Sequence, residues 1–208
     1  PSLTTYRYEF PGDKNVTQNE LVIVDVIGHT VKKTDISKWP DQYINPLCVT
    51  KDSKYLFFER TKRTWDEVDL CSVNLSTMEV KEIIHEVDKP YRDPHARSVA
   101  ILNDGKDILF RSERTGWGHY DGNGKLKNVM TSGEWVAGQI ASIDTLGRTV
   151  YLYGYGREKD IDPSYYMLYK VHIDREGVTP LSTEDGQHQV KFLKSNRYYI
   201  DTYSRVDM

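Results

Sequence analysis

The sequence has few cysteines, no long apolar run and little charge imbalance, and each shortage excludes a class of protein. Two cysteines in 208 residues, Cys48 and Cys71, are too few for a disulfide framework and lack the spacing of a metal site. No apolar run approaches the roughly 20 residues of a membrane helix, so we expect no membrane span. A signal-peptide pattern is also absent, so the chain is either cytoplasmic or an internal piece of a longer one.

The charge and the motif content exclude further classes. A formal net charge of -3 gives no reason to expect a nucleic-acid partner, because such proteins concentrate lysine and arginine on one face. No serine lies in a G-x-S-x-G elbow, and the six histidines are too scattered to suggest a metal site within one strand or turn. We therefore expect no catalytic residue, no metal and no cofactor in this chain.

Aromatic strands recur along the chain. The 15 tyrosines favour β-structure, because tyrosine is a strand former whose hydroxyl can stay hydrogen-bonded when the ring is buried. Four segments share a turn, a basic residue and an aromatic-rich strand: residues 51–61, 103–112, 146–153 and 195–202. Their basic residues, Lys54, Lys106, Arg148 and Arg197, are 52, 42 and 49 residues apart. Four-stranded propeller blades take about 40 to 50 residues each.

The spacing predicts an all-β fold, a partial β-propeller of four-stranded antiparallel blades. An antiparallel β-sandwich is the alternative. Strands predicted at residues 4–10, 20–26 and 30–35 would be the later strands of an earlier blade, so the chain would begin and end inside blades. Cys48 and Cys71 would lie on the first and third strands of one blade, about 9.5 Å apart, which is too far for a disulfide.

Several motifs together resemble the N-terminal β-propeller domain of the dipeptidyl peptidase IV family of serine peptidases. They are residues 112–120 (SERTGWGHY), 131–135 (TSGEW), 6–13 (YRYEFPGD), 41–44 (DQYI), Gly186 with 188–192, and 198–204. Two departures accompany them. Tyr120 runs directly into Asp121-Gly122, so a strand is shortened or residues are missing there. The paired glutamates and the Ser-Asp-His triad of the family fall outside the chain, and Asp66-Glu67 does not match the glutamate motif.

The resemblance implies that residues 1–208 are the C-terminal part of such a propeller domain, with blade remnants at both ends and without the catalytic α/β-hydrolase domain. The parent would be an extracytoplasmic exopeptidase, periplasmic or secreted, that releases X-Pro or X-Ala dipeptides. Its partners would be the peptide substrate, the hydrolase domain and a second copy in a homodimer. The segment itself would gate and position peptide amino-termini. The alternative is a stand-alone β-propeller or sandwich that binds proteins.

The resemblance also assigns a substrate-binding role to Tyr91 and Arg92. Two prolines, Pro90 and Pro94, stiffen the loop around them. A tyrosine beside an arginine offers an apolar face next to a planar set of donors. In the family an aromatic-Arg pair at this loop lines the substrate cleft. A surface connector in which Arg92 pairs with Asp93 or Asp88 is the alternative.

Overall fold

The structure is a computed structural model that describes residues 3–6, 8, 10, 13–93, 99–114 and 116–208. Apart from one 3-10 turn at Asn103–Gly105, the regular elements of the described residues are all β-strands, and every strand pairing is antiparallel. Three sheets have four strands each, and none of the sheets in the described part closes on itself. The prediction of an all-β, partial β-propeller of four-stranded blades is confirmed.

Residues 1–91 form the first of two compact units. Its strands are β1 (Val22–Asp25), β2 (Thr30–Lys33), β3 (Gln42–Val49), β4 (Tyr55–Lys62), β5 (Glu67–Asn74) and β6 (Val80–Val87). The first two form a hairpin, and the other four form a meander in the order β3-β4-β5-β6. Among residues 4–10, where a strand was predicted, the described residues form none. Their aromatic rings are exposed, so no burial favours pairing there, and Arg7 and Glu9 lie outside the described residues.

The repeated pattern at residues 51–61 forms a turn and the second strand of this sheet. Thr50 Oγ1 accepts hydrogen bonds from the backbone nitrogens of Lys54 and Tyr55, which closes the turn. Strand β4 then lies between β3 and β5, and Phe58 at its centre is fully buried. Cys48 on β3 and Cys71 on β5 are separated by β4 and form no disulfide, as predicted.

Residues 92–208 form the second unit. Its strands are β7 (Val99–Leu102), β8 (Asp107–Ser112), β9 (Gly116–Asp121), β10 (Leu126–Val129), β11 (Val136–Asp144), β12 (Thr149–Tyr155), β13 (Met167–His172), β14 (Val178–Pro180), β15 (Gln187–Phe192) and β16 (Tyr199–Ser204). They form two four-stranded meanders and a final hairpin. Strand β9, where a shortened strand was predicted, has six residues, two fewer than β5 in the first unit. Thr115 of the same motif lies outside the described residues.

The two meanders of the second unit share a core around Trp117. This side chain is fully buried with Leu109 of its own sheet, with Met130 just after β10, and with Val150 and Leu152 of the next sheet. Its indole Nε1 donates a hydrogen bond of 3.0 Å to the backbone oxygen of Gly138 on β11. The SERTGWGHY motif therefore joins consecutive sheets of this unit, because a buried indole N–H needs an acceptor.

Candidate functional site

The predicted site residues Tyr91 and Arg92 are adjacent in sequence but differ in exposure. They lie in the loop between β6 and β7, Tyr91 at the end of the first unit and Arg92 at the start of the second. Tyr91 is 62% exposed and Arg92 is 1% exposed. The ring of Tyr91 is thus accessible to a ligand, whereas the guanidinium of Arg92 is enclosed by protein.

Arg92 attaches the start of the second unit to strand β8. Its Nη2 donates a hydrogen bond of 2.6 Å to the backbone oxygen of Arg111, and its Cζ lies 5.3 Å from the centroid of the Phe110 ring. A hydrogen bond from a charged donor to a carbonyl oxygen is stronger than one between neutral groups, and the cation-π contact adds to it. Together they attach Arg92 firmly to β8. The substrate-binding role of Tyr91 and Arg92 stays a prediction.

A pocket opens next to this attachment, within the second unit. Its volume is about 150 Å³. It is lined by Asp93, Arg111, Val136, Gly138, Gln139, Tyr153, Tyr155 and Tyr166. Strand β12 contributes Tyr153 and Tyr155, and Tyr166 immediately precedes β13. Sequence reasoning missed this pocket, although two-residue alternation already placed Tyr153 and Tyr155 on one face of a strand.

The ring of Tyr166 stands nearly perpendicular to the rings of both Tyr153 and Tyr155. The ring of Tyr166 meets that of Tyr153 at 84° with centroids 6.4 Å apart, and that of Tyr155 at 72° with centroids 5.1 Å apart. The hydroxyl of Tyr153 is held by Val190, whose backbone nitrogen donates to it at 2.7 Å. These edge-to-face contacts are the preferred geometry of aromatic pairs, so the rings support one another.

Charged groups of both signs lie at the pocket. Arg111 Nη1 bonds to Glu113 Oε1 at 2.6 Å, and its Nε donates to the backbone oxygen of Ala137 at 2.6 Å. The Asp93 carboxylate also lines the pocket. The pKa of the Tyr155 hydroxyl is raised, mainly by burial; Asp93 and Glu113 also raise it, and Arg111 opposes them.

A second polar cluster lies on the four-stranded sheet of the first unit. Ligand atoms of Asp69, Glu82 and His85 lie within 4.8 Å of one another, an arrangement that could hold a metal ion. Lys38 Nζ, however, lies 2.8 Å from Asp69 and 2.7 Å from Glu82, and Arg60 Nε lies 2.6 Å from Asp69. The two cations already neutralise the carboxylates, so the cluster is an ion-pair network.

The acidic pair Asp66-Glu67 also has a basic partner. Lys62 Nζ lies 2.6 Å from Glu67 and 3.5 Å from Asp66. This ion pair is a structural use of the two carboxylates at the hairpin between β4 and β5.

Among the residues that the structure describes, no helix has the length and apolar character needed to span a lipid bilayer.

Comparison with known proteins gives one family. The family model described as "Dipeptidyl peptidase IV (DPP IV) N-terminal region" matches residues 1–208. Among solved structures, dipeptidyl peptidase 4 of Porphyromonas gingivalis is similar over 89% of this chain, with 22% identity and a TM-score of 0.76. A candidate dipeptidyl aminopeptidase IV of Bacteroides ovatus ATCC 8483 is similar over 89% of this chain, with 17% identity and a TM-score of 0.70.

A third similar structure is TolB of Acinetobacter baumannii, which matches 88% of this chain with 18% identity and a TM-score of 0.50. At these identities the similarities show the fold alone. The chain spans 26% of the Porphyromonas structure, 29% of the Bacteroides structure and 48% of TolB. It therefore corresponds to a part of each of these longer chains.

Proposed function

The chain belongs to the family of dipeptidyl peptidase IV N-terminal regions, and from this premise we propose that it is a non-catalytic propeller segment of a serine exopeptidase. In this role it gates access and positions peptide amino-termini for a hydrolase domain that releases X-Pro or X-Ala dipeptides. A wall of blades admits narrow, unfolded peptide ends and blocks folded proteins, so access contributes to specificity.

The observation that carries this proposal is the contrast between Arg92 and Tyr91 in the loop between β6 and β7. Arg92 is bonded to the backbone of Arg111, while the neighbouring Tyr91 keeps 62% of its surface exposed. Anchoring one residue fixes the backbone of the next, which lowers the entropy lost when a ligand binds. We propose that Tyr91 contacts the peptide and that Arg92 is a positioning residue that holds the loop.

The remaining partners follow from the same proposal. The propeller segment would contact the hydrolase domain of its parent chain, and the parent would act outside the cytoplasm, in the periplasm or after secretion. A second copy of the parent in a homodimer is a further proposed partner. The similarity in fold to the Porphyromonas dipeptidyl peptidase 4, with a TM-score of 0.76, supports the architecture on which these proposals depend.

Hydrolysis of a Gly-Pro reporter tests the proposal. The full-length protein should cleave Gly-Pro and Gly-Ala reporters and a short peptide with proline second, and should spare a folded protein with the same amino-terminal residues. The 208-residue chain alone should cleave none of them, because nucleophile, base and oxyanion donors would all be supplied by the hydrolase domain. An inactive full-length protein, or an active 208-residue chain free of contaminating protease, would contradict the proposal.

A further inference from the structure

Arg111 joins three segments of the second unit at the end of strand β8. Its backbone oxygen accepts the hydrogen bond from Arg92 in the loop before β7. Its Nε donates at 2.6 Å to the backbone oxygen of Ala137 at the start of β11, and its Nη1 donates at 2.6 Å to Glu113 in the turn between β8 and β9. Arg111 is itself buried. One buried residue therefore contacts the loop, the turn and the next sheet.

The strand pairing explains why the backbone oxygen of Arg111 takes a side-chain donor. The described pairs between β7 and β8 stop at Phe110, so Arg111 lies one residue beyond them. On the other edge of β8, Trp117 lies opposite Arg111, but its backbone nitrogen donates to Thr131 Oγ1. A buried backbone oxygen needs a hydrogen-bond donor. Arg92 supplies one, and the loop before β7 is thereby bonded to the strand end.

The guanidinium of Arg111 connects the turn to β11. Its Nη1 and Nη2 face the two carboxylate oxygens of Glu113 at 2.6 Å and 3.4 Å, while its Nε is directed to Ala137. Such two-point contacts add geometric specificity as well as energy, because the guanidinium is planar and its donors have fixed directions. The side chain therefore fixes the end of β8 relative to β11, and with it the backbone oxygen that holds Arg92.

This arrangement reaches the loop to which the peptide contact is assigned. Arg92 follows Tyr91 directly in the chain, and Tyr91 keeps 62% of its surface exposed. A shift of the Arg111 backbone moves the oxygen to which Arg92 is bonded, and the backbone next to Tyr91 shifts with it. A displacement of about 1 Å can remove much of the effect of a well-placed group. The position of Tyr91 thus depends on Arg111 as well as on Arg92.

We propose that Arg111 is a positioning residue for the peptide. The inference rests on the proposed function, because that function assigns the peptide contact to Tyr91. Arg111 does not touch the peptide in this account. It holds the end of β8 in place, so that Arg92 presents Tyr91 in the orientation that binds. Its contribution is to peptide affinity, since the groups that break the bond would belong to the hydrolase domain.

The affinity for a peptide that cannot be cleaved tests the proposal without requiring catalysis. The probe has proline second and an N-methylated scissile amide, and isothermal titration calorimetry of the full-length protein gives both Kd and the number of sites. Arg111→Met keeps the apolar stem and removes the donors. Kd should rise about 3- to 30-fold, within the range of couplings carried by hydrogen-bonded networks. Arg111→Lys keeps a charged donor and should recover part of the affinity.

A purely structural role has a different signature. If Arg111 only stabilised the fold, Arg111→Met would lower the number of sites per protein and leave Kd unchanged. The matched control is Arg148→Met, because Arg148 also bonds through two nitrogens to both oxygens of one carboxylate, that of Asp174. This variant should lower the melting temperature without changing Kd. An unchanged Kd in Arg111→Met, or an equal rise in Arg148→Met, overturns the proposal.

A double variant tests whether Arg111 acts through Tyr91. In Tyr91→Ala no ring remains to be positioned, so adding Arg111→Met should change Kd by less than about twofold, the usual deviation from additivity. Independent contributions would instead multiply. A double variant whose Kd is raised by the product of the two single effects contradicts the positioning role.

The two proposals fail separately. A full-length protein that hydrolyses the Gly-Pro reporter and binds the probe equally well with and without Arg111→Met contradicts the role of Arg111 alone. A protein in which Arg111→Met weakens the probe as predicted, but which cleaves no reporter, contradicts the proposed exopeptidase alone. A protein that neither binds the probe nor cleaves the reporter contradicts both.

Discussion

Arg92 donates a hydrogen bond of 2.6 Å from Nη2 to the backbone oxygen of Arg111. The guanidinium that makes this bond is 1% exposed and also lies over the Phe110 ring. A buried charge is tolerated only when it is paired or hydrogen-bonded. Arg92 and the end of β8 are therefore held together by a hydrogen bond that an apolar side chain could not replace.

Replacing Arg92 by methionine should destabilise the protein. The length and apolar stem of the side chain are retained, but the donor is lost and the backbone oxygen of Arg111 loses this partner. We expect the free energy of unfolding to fall by about 1–3 kcal/mol. Urea unfolding of the 208-residue chain measures it, with Arg197→Met as the control at an exposed arginine. Equal losses in both variants would contradict the anchoring role.

Asp107 lies at the centre of a polar cluster in the same unit. His119 Nε2 is 2.8 Å from its carboxylate, and Lys127 and Asn103 also bond to it. Burial alone would raise the pKa of this carboxyl, but the hydrogen bonds from Lys127, His119 and Asn103 outweigh burial and hold the pKa well below its usual range. Ionised Asp107 therefore stabilises the folded state.

The stability contribution of Asp107 should depend on pH. Because the folded-state pKa is lowered, the contribution is fully present above the ordinary carboxyl pKa of about 4 and is lost as the pH falls towards the folded value. Asp107→Asn should cost about 1–3 kcal/mol at pH 7, and the difference from the unsubstituted chain should shrink by about 1 kcal/mol between pH 5 and pH 3. A difference that is constant over this range, or one shared by the exposed Asp160→Asn, would disprove the claim.

The two cysteines should differ in reactivity. Cys71 is fully buried, and burial raises the pKa of its thiol to about 12, so almost no thiolate exists at pH 8. Cys48 is partly exposed. Alkylation of the native chain at pH 8 without reductant should modify Cys48 alone, and denaturation should expose both. Mass spectrometry that finds equal labelling of both cysteines in the native chain would contradict the burial of Cys71. A disulfide between them after denaturation would contradict the strand order.

Local chemistry made much of the fold predictable. The turn-basic-aromatic repeats place hydrogen-bonding turn residues such as Asp52 before strands such as β4, and each repeat recurs at the spacing of one blade. The order of Cys48 and Cys71 on the first and third strands follows from that meander. Among the described residues of 4–10, where aromatic alternation predicts a strand, none lies in a strand, and the described aromatic rings are exposed. Alternation indicates a strand only where a neighbour is present to pair with it.

The candidate pocket could not be predicted in the same way. Tyr153 and Tyr155 share a face by alternation, but Tyr166 follows a separate turn, and Arg111 comes from the preceding sheet. Their meeting depends on how consecutive sheets of the unit pack, which no local pattern records. The burial of Arg92 is of the same kind, since an arginine in a proline-rich loop is ordinarily expected at the surface.

The loop before β7 provides the most direct test of the proposed function. The measurement is kcat/KM of the full-length protein for a Gly-Pro reporter and for a longer peptide with proline second, in Tyr91→Ala and Arg92→Ala. Tyr198→Ala is the control at an exposed tyrosine with 59% of its surface accessible, close to the 62% of Tyr91. Melting temperatures establish that each variant is folded.

We predict that Tyr91→Ala and Arg92→Ala each lower kcat/KM by about 5- to 150-fold, the equivalent of about 1–3 kcal/mol of lost transition-state binding, while Tyr198→Ala retains the unsubstituted value. For Arg92→Ala the loss should be partly recovered by Arg92→Lys, which keeps a donor for the backbone oxygen of Arg111. Unchanged kcat/KM in both variants, each folded at the assay temperature, would contradict the claim that this segment positions the peptide.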